Sequence, residues 1–566
     1  MSQSYDGGEA ILEAFRNLGV DYIIASPGSE WPPVWEALAR QRTSETEGPR
    51  YIDCWHESLA VALAMGYTQV TGRLQAVLLH AVVGPLQGSM AIYGAYQGEI
   101  PMLVCSGGSN TYGEDPEFDP GWQWMRHHNI AGGASGLIDP VVKWSGQVSS
   151  PLTLYESVRR AGELAQRVPK GPTFLNIPLE VMFQEWNSPA RKVAVPGAPK
   201  TQPDARSIQR VAELIASSRS PIIAAETCGQ EPAAFANLVE LADLASIPVV
   251  EVSNPTYANF PKDHPLHLGI DIKPYQDQSD LFLVIGTVAP WYPPNTRPAH
   301  GTVVIIDENP IKEHMAYQSL QADLYLEGDV AATLKLLTEA LRSHAATRSG
   351  ELKERRAYWE AGHQKLLQGL RDTAVAARDK QPIDPAWLCA ALDDVMPGDA
   401  VYVEETITHR QTILRHLQWT QPQSYFHPTG GLGLGLGQAL GIKLAIPSRP
   451  VVALVGDGSF LYNPIVPALG AAKENNLPIL IVVFNNGAYS VMRQSHLGFY
   501  PGGVAANTGI FHGVGIAGPN YAQLVEPFGG HGERVEDPAA LKPALERALA
   551  AVNGGQVALV DVVLAA

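Results

Sequence analysis

The chain has 566 residues, 45% of them hydrophobic and 17% charged, with a formal charge of −17 at pH 7. That length implies several globular domains with large cores, and the acidic balance argues against nucleic acid or an anionic membrane surface as a partner. No apolar stretch is long enough to span a bilayer, residues 1–6 show no basic region leading into an apolar run, and the four cysteines (Cys54, Cys105, Cys228, Cys389) have no CxxC spacing, so neither a secretory signal, zinc nor a disulfide framework is expected and the expected compartment is the cytoplasm.

Three α/β blocks follow one another. In the first, apolar runs at 22–25, 75–80, 102–105 and 173–177 predict strands, and helical patterns cover 58–70 and 152–165. Strands alternating with helices imply a parallel, doubly wound sheet. The Pro-, Lys- and Ala-rich stretch 188–203 reads as a linker. The second block has strand candidates at 222–225, 249–252, 281–285 and 303–306. The charged helix 352–371 that follows is expected to be a solvated connector. The third block has strands at 400–403, 451–455, 479–484 and 557–563. The expected architecture is therefore α/β, with three doubly wound parallel-sheet domains at 1–187, 204–345 and 376–566. The first and third blocks share a pattern: an apolar strand, a Gly-containing loop, a helix, then Ile100-Pro101 or Leu477-Pro478 opening another strand. Either the two are related sheets, or all βαβ units simply look alike.

The third block carries Gly456-Asp457-Gly458-Ser459 after one apolar strand and Asn485-Asn486 after another. Two neighbouring parallel strands would deliver Asp457 and Asn486 to the same sheet edge. One carboxylate and one amide oxygen suit a hard divalent cation that keeps waters and shares a phosphate. Glycines let backbone N–H groups approach that phosphate. Taken alone, Gly-Asp-Gly is also an ordinary turn.

Other segments stand out. Glu57 opens a tightly packed, alanine-rich helix in Cys54-Trp55-His56-Glu57-Ser58-Leu59-Ala60, where a carboxylate is favoured by the helix dipole in any case. Gly430-Gly431-Leu432-Gly433 begins a glycine run to Gly437 that is out of register with a dinucleotide fingerprint. Close packing of a helix on a sheet would also demand glycine there. Thr406 and Thr408 follow a strand in Glu405-Thr406-Ile407-Thr408. His80 and Ser26-Pro27-Gly28-Ser29-Glu30 lie at strand ends, where α/β proteins bind ligands, although a lone histidine there is commonly structural.

Together these motifs resemble the thiamine diphosphate (ThDP) enzymes, whose signature is GDG, a spacer and NN. The order of blocks is similar to the acetolactate synthase, pyruvate oxidase and benzoylformate decarboxylase branch: a pyrimidine-binding domain, a middle domain and a diphosphate-binding domain. The resemblance implies that Asp457, Asn486 and the carbonyl of Ala488 hold Mg²⁺. It implies that Gly456, Gly458 and Ser459 border the diphosphate, with Thr406 or Thr408 beside it. It implies that Glu57 bonds N1′ of the aminopyrimidine, that the Gly430 carbonyl accepts from the 4′-amino group, and that Leu432 forces the cofactor into a V shape. Ser29 and His80 match substrate-contacting positions of benzoylformate decarboxylase, but the middle-domain histidine used there has no counterpart in Ala289-Pro290-Trp291-Tyr292. His127-His128 resembles the adjacent histidines of pyruvate decarboxylase. His496 and His512 follow the metal turn with roles left open. The arginine and aspartates that hold flavin in acetolactate synthases are missing from 286–292, so no FAD is expected.

The implied activity is decarboxylation of a small-molecule 2-oxo acid, the resulting enamine being protonated to an aldehyde or joined to a second carbonyl, as in acetolactate synthase. The alternatives are a benzoylformate decarboxylase-like lyase for a bulkier acid, a 2-hydroxyacyl-CoA lyase, for which no Arg/Lys nucleotide clamp is evident, and a ThDP-binding paralogue without catalysis. The family also implies a homodimer or homotetramer with the site between subunits.

Overall fold

A computed structural model of the chain describes residues 5–109, 117–119, 121–189, 193–252, 254–291 and 296–565. The residues group into two compact units. The first comprises Met1–Pro199, Pro428–Ser448 and Leu461–Ile479, and the second Lys200–His427, Arg449–Phe460 and Leu480–Ala566.

The first unit holds a six-stranded sheet. Its strands are β1 (Tyr22–Ser26), β2 (Arg50–Asp53), β3 (Gln75–Leu79), β4 (Met102–Gly108), β5 (Trp144–Gln147) and β6 (Pro172–Pro178), in the spatial order β2-β1-β3-β4-β6-β5. All five pairings are parallel. The inner strands β3, β4 and β6 are buried at every position, as a parallel sheet covered on both faces requires. The first unit also contains two helices that pack on each other, α1 (Glu57–Thr71) and α2 (Gly435–Ala445). Gly66, Gly437 and Gly441 make this approach possible. A Cβ at Gly66 would lie 2.1 Å from the Gln438 carbonyl oxygen, and one at Gly441 would lie 2.0 Å from that of Leu63. The end of the glycine run thus serves helix–helix packing, whereas the packing expected there was of a helix on a sheet.

The second unit holds two sheets. The middle sheet contains β7 (Pro221–Ala225), β8 (Val249–Glu251), β9 (Leu281–Ile285), β10 (Thr302–Asp307) and β11 (Leu324–Glu327), ordered β8-β7-β9-β10-β11. The last sheet contains β12 (Val401–Glu405), β13 (Tyr425–Phe426), β14 (Val451–Gly456), β15 (Leu480–Asn485), β16 (His531–Val535) and β17 (Ala558–Val563), ordered β13-β12-β14-β15-β17-β16. Both sheets are parallel throughout. Counted in chain order, the first and last sheets have the same strand sequence, 2-1-3-4-6-5. The shared pattern between the two blocks is therefore a shared topology and not merely a common βαβ unit.

Within these three sheets, five strands among the described residues escape the apolar-run criterion: β2, β5, β11, β13 and β16. All five are edge strands, half exposed or only two residues long, with no continuous apolar run to betray them. His80 was expected to end a strand; β3 stops at Leu79 and His80 is the first residue beyond it. The charged helix is longer than expected, Ser349–Ala377, and it is docked as well as solvated. Trp359 and His363 are buried, and the Arg355 guanidinium donates to the carbonyls of Ala245 and Ser218 at 3.2 and 2.8 Å. All four cysteines are buried and unpaired.

Candidate active site

Three loops at the carboxyl edge of the first sheet gather Ser29, Glu57 and His80. Ser29 follows β1, Glu57 follows β2 and His80 follows β3, and these strands are neighbours in register, with Ala25 opposite both Asp53 and Leu78. Adjacent strands lie about 4.8 Å apart, so the three loops share one small stretch of edge. Glu57 is the first residue of α1. His56 caps that helix, its Nδ1 accepting from the Ser58 amide at 3.2 Å, which leaves the Glu57 carboxylate half-buried at the positive helix end. His80 is positioned by its backbone: its N–H donates to the Ser26 carbonyl at 3.2 Å, while Trp31 Nε1 donates to the Leu79 carbonyl at 3.0 Å.

Sequence reasoning passed over Glu30. Its side chain is fully buried, and the His80 Nδ1–H donates to its Oε2 at 2.8 Å. The Glu30 hydrogen bond raises the His80 pKa against the opposing effect of burial, and the charges of Glu30 and Glu57 raise it further. His128 packs edge-on to His80 with ring centroids 5.1 Å apart, and Trp124 stands 6.4 Å away. Burial, then the charge of His80, pushes His128 down. His127 is exposed and packs on Trp122 instead. Ser29 is exposed and accepts from Gln123 Nε2 at 3.3 Å. The signal for Glu30 was a carboxylate two residues after a Pro-Gly pair at a strand end.

Gly430 and Leu432 also belong to the first unit. Gly430 has φ +90°, and a Cβ there would come within 2.6 Å of the Gly94 Cα, so this glycine has a packing reason of its own. Leu432 is half-buried.

The carboxyl edge of the last sheet gathers the other set. Glu405 lies opposite Val455, and Gly456 opposite Phe484. Thr406, Asp457 and Asn486 are therefore the first residues beyond three adjacent strands. The register explains why the two motifs, distant in sequence, converge. Asp457 is buried. Its Oδ1 accepts from the Gly458 amide at 3.0 Å, while its Oδ2 has no hydrogen-bond partner among the described residues. Burial raises its pKa to about 6 against the opposing amides of Gly458 and Gly487. A buried carboxylate oxygen left unpaired is costly, and a cation removes that cost. The Asn486 Nδ2 donates to the Ser490 hydroxyl at 3.0 Å and lies 3.4 Å from His409 Nε2, which directs its Oδ1 the other way. Burial holds the His409 pKa down at about 4, so this imidazole is neutral and able to accept. Ala488 pairs with Gly515 through the Tyr489 N–H and the Gly487 carbonyl, a pairing that does not use the Ala488 carbonyl. A carboxylate, an amide oxygen and a carbonyl fit Mg²⁺ sharing a diphosphate. Gly456 and Gly458 keep the approach open: a Cβ at Gly458 would sit 2.5 Å from the Tyr489 ring.

Beside this set, the buried Glu404 orients Thr406. Its Oε1 accepts from both the backbone N–H and the hydroxyl of Thr406 at 2.6 Å, and its Oε2 accepts from the Tyr425 hydroxyl and His427 Nδ1, each at 3.1 Å. Although burial pushes Glu404 up, His427, Arg410 and Thr406 hold it down at about 2. Ser459 is buried in the same turn, and Thr408 is half-buried. His496 and His512 are exposed, His496 packing against Tyr500 and Phe511. Within the flavin-like segment 286–292, Tyr292 lies outside the described residues.

Comparison with known proteins agrees with this pair of edges. Residues 5–131 match the thiamine pyrophosphate enzyme N-terminal TPP binding domain, 208–337 the central domain and 407–562 the C-terminal TPP binding domain, together more than half of the chain. The chain is 26% identical to benzoylformate decarboxylase of Pseudomonas aeruginosa over 562 residues, covering 96% of each. It is 26% identical to acetolactate synthase of Mycobacterium bovis over 560 residues, covering 94% of this chain and 84% of that one. The solved Rhodococcus jostii RHA1 thiamine diphosphate-dependent 4-hydroxybenzoylformate decarboxylase superposes with a TM-score of 0.79 at 25% identity, covering 99% of each chain. A sheet edge with glycines and an unpaired buried aspartate, matched by the family's models at both ends and in the middle, leads to one conclusion: this chain belongs to the thiamine pyrophosphate enzymes.

Proposed function

We propose that this protein is a ThDP- and Mg²⁺-dependent decarboxylase of a 2-oxo acid that releases an aldehyde. The observation that carries this reading is the edge of the first sheet, where the loops bearing Ser29, Glu57 and the Glu30-bonded His80 converge. When bound, the cofactor would supply a carbon nucleophile for the 2-oxo carbon and an electron sink for the pair left behind when CO₂ departs. Asp457 Oδ2, Asn486 Oδ1 and the Ala488 carbonyl would hold the cation, and Gly456, Gly458, Ser459, Thr406 and Thr408 would border the diphosphate. Gly430 and Leu432 would hold the aminopyrimidine side. Glu57, half-buried at the start of α1, would take the hydrogen bond of a ring nitrogen and so set the tautomer of that ring. The hydrogen bond to Glu30 raises the proton affinity of His80, which suits protonation of the product carbon or oxygen.

A second reading is carboligation, as the acetolactate synthase relative's name states for that protein. The two are separated by a mass-spectrometric screen of 2-oxo acids with and without acceptor aldehydes. Aldehyde and CO₂ from an aromatic or other bulky 2-oxo acid support the decarboxylase; a coupled hydroxyketone as the main product supports the ligase; no CO₂ from any acid sinks both.

The same proposal includes the domain boundaries 1–187, 204–345 and 376–566, each of which encloses one whole sheet. It also includes assembly as at least a homodimer, with Glu57 of one subunit and Asp457 of another completing a site. Support comes from an apolar stripe at helical spacing, Val83, Leu86 and Met90, with Trp55, all roughly half exposed. Sedimentation of the active enzyme as a strict monomer would contradict this.

A further inference from the structure

The Glu30–His80 pair is built with unusual care. A Cβ at Gly28 would lie 1.7 Å from His80 Nδ1, and one at Gly107 would lie 1.8 Å from Glu30 Cγ. Two glycines therefore make room for one contact. Glu30 is entirely buried, and its Oε1 has no hydrogen-bond partner among the described residues. Among the described residues no lysine or arginine pairs with it, and His80 is its one ionic partner. A buried carboxylate with a single partner is destabilising unless that partner is charged. A pair of this kind adds nothing evident to the core. It does define which ring nitrogen of His80 is occupied: Nδ1 is taken, and Nε2 has no hydrogen-bond partner among the described residues.

We propose that Glu30 is a positioning residue: it takes the Nδ1 proton of His80 and thereby presents Nε2–H as a charged donor to the carbonyl oxygen of the 2-oxo acid. This rests on the decarboxylase reading above. The oxygen gains negative charge as its carbon is attacked, and a preorganised charged donor stabilises that charge. The groups that face His80 are Glu30 from the loop after β1, Glu57 at the start of α1, and His128, with His127 acting on His128. The carboxylates favour the imidazolium on His80, whereas burial, with the charge of His80 behind it, lowers the proton affinity of His128. The two neighbouring histidines are thus shifted in opposite directions.

The sign of the pH effect follows. His80 is active as the cation, so kcat/KM falls as pH rises through its raised pKa. Glu30→Gln removes the hydrogen bond and charge that raise it and leaves burial, which lowers it. The test compares wild type, Glu30→Gln and Glu30→Asp as ThDP/Mg²⁺ holoenzymes, with circular dichroism to establish folding. The His80 ring is titrated by NMR with histidine-selective labelling, assigned from His80→Gln. The expected result is a His80 midpoint lower by about one pH unit or more in Glu30→Gln, the alkaline limb of kcat/KM displaced by the same amount, and kcat reduced roughly 10²–10³-fold with a smaller change in KM. Glu30→Asp should restore part of each. An unchanged His80 midpoint in Glu30→Gln overturns the proposal. So does a moved midpoint with an unmoved pH profile, which would make the pair purely structural. A wild-type enzyme inert toward every 2-oxo acid overturns the functional reading instead; the titration tells the two failures apart because it needs no turnover.

Discussion

The side-chain amide nitrogen of Asn486 donates to the hydroxyl of Ser490 four residues on, at 3.0 Å, and faces the neutral His409 ring at 3.4 Å. Both of these partners lie on the nitrogen side, while the oxygen accepts from the Ala488 amide at 3.1 Å and keeps a second lone pair for a cation. Ser490→Ala removes one of the two restraints on the amide nitrogen. Mg²⁺ affinity, measured by calorimetry in the presence of ThDP, is expected to weaken about 10–100-fold, the usual penalty for losing a partner that orients a metal ligand.

In the proposed cation site, Asp457 would make metal binding depend on pH. Burial raises its pKa from the ordinary 3.8 to about 6. A proton on Asp457 competes with the cation, so Mg²⁺ affinity is expected to be full above pH 6 and to fall roughly tenfold per unit below it. In the metal-free protein the sign for folding is opposite in sense. A carboxyl that binds its proton more tightly when folded adds stability at low pH, and that contribution is lost as pH rises from 3.8 through 6. Mg²⁺ titrations from pH 5 to 8 check the first statement; thermal melts without metal check the second. Asp457→Asn should flatten both curves.

Glu57→Gln keeps the size of the side chain at the start of α1 and removes its charge. Turnover of the best 2-oxo acid is expected to fall about 10²–10⁴-fold, the range for a positioned acid–base group. Cofactor binding, followed by circular dichroism on adding ThDP and Mg²⁺, should persist. Full turnover in this variant would refute the role assigned to Glu57.

Gly441 faces the Leu63 carbonyl so closely that any side chain meets backbone, not a flexible tip. Gly441→Val should separate α1 from α2 and cost about 1–3 kcal/mol, or more because neither helix backbone can yield locally. A lower melting temperature by calorimetry is the readout. Gly136→Ala is a control: a Cβ there meets nothing within 4 Å, and no comparable loss is expected.

Much of the fold was legible because the inner strands of parallel sheets are continuous apolar runs. The runs at 75–80, 281–285 and 451–455 each correspond to an observed inner strand. The edge strands were not legible. Arg50–Asp53 and His531–Val535 carry charges on exposed faces and depend on a single neighbour for their hydrogen bonds. In the candidate site, Asp457 and Asn486 could be brought together on paper because each directly follows an inner strand. Glu30, His409 and Glu404 could not. Their significance lies in one contact each, with His80, Asn486 and Thr406, and no spacing rule predicts such contacts.

By itself, the sequence determined the α/β class, the order of the three sheets along the chain and the cofactor motif, because apolar runs and glycine turns are local properties of the chain. Only the tertiary structure decided that the first and last sheets share one strand order, that the glycine run serves helix packing, and that Glu30 sits beneath His80. Those outcomes depend on which strand lies beside which and on how closely two helices can approach. Such relations exist only once distant segments are packed together.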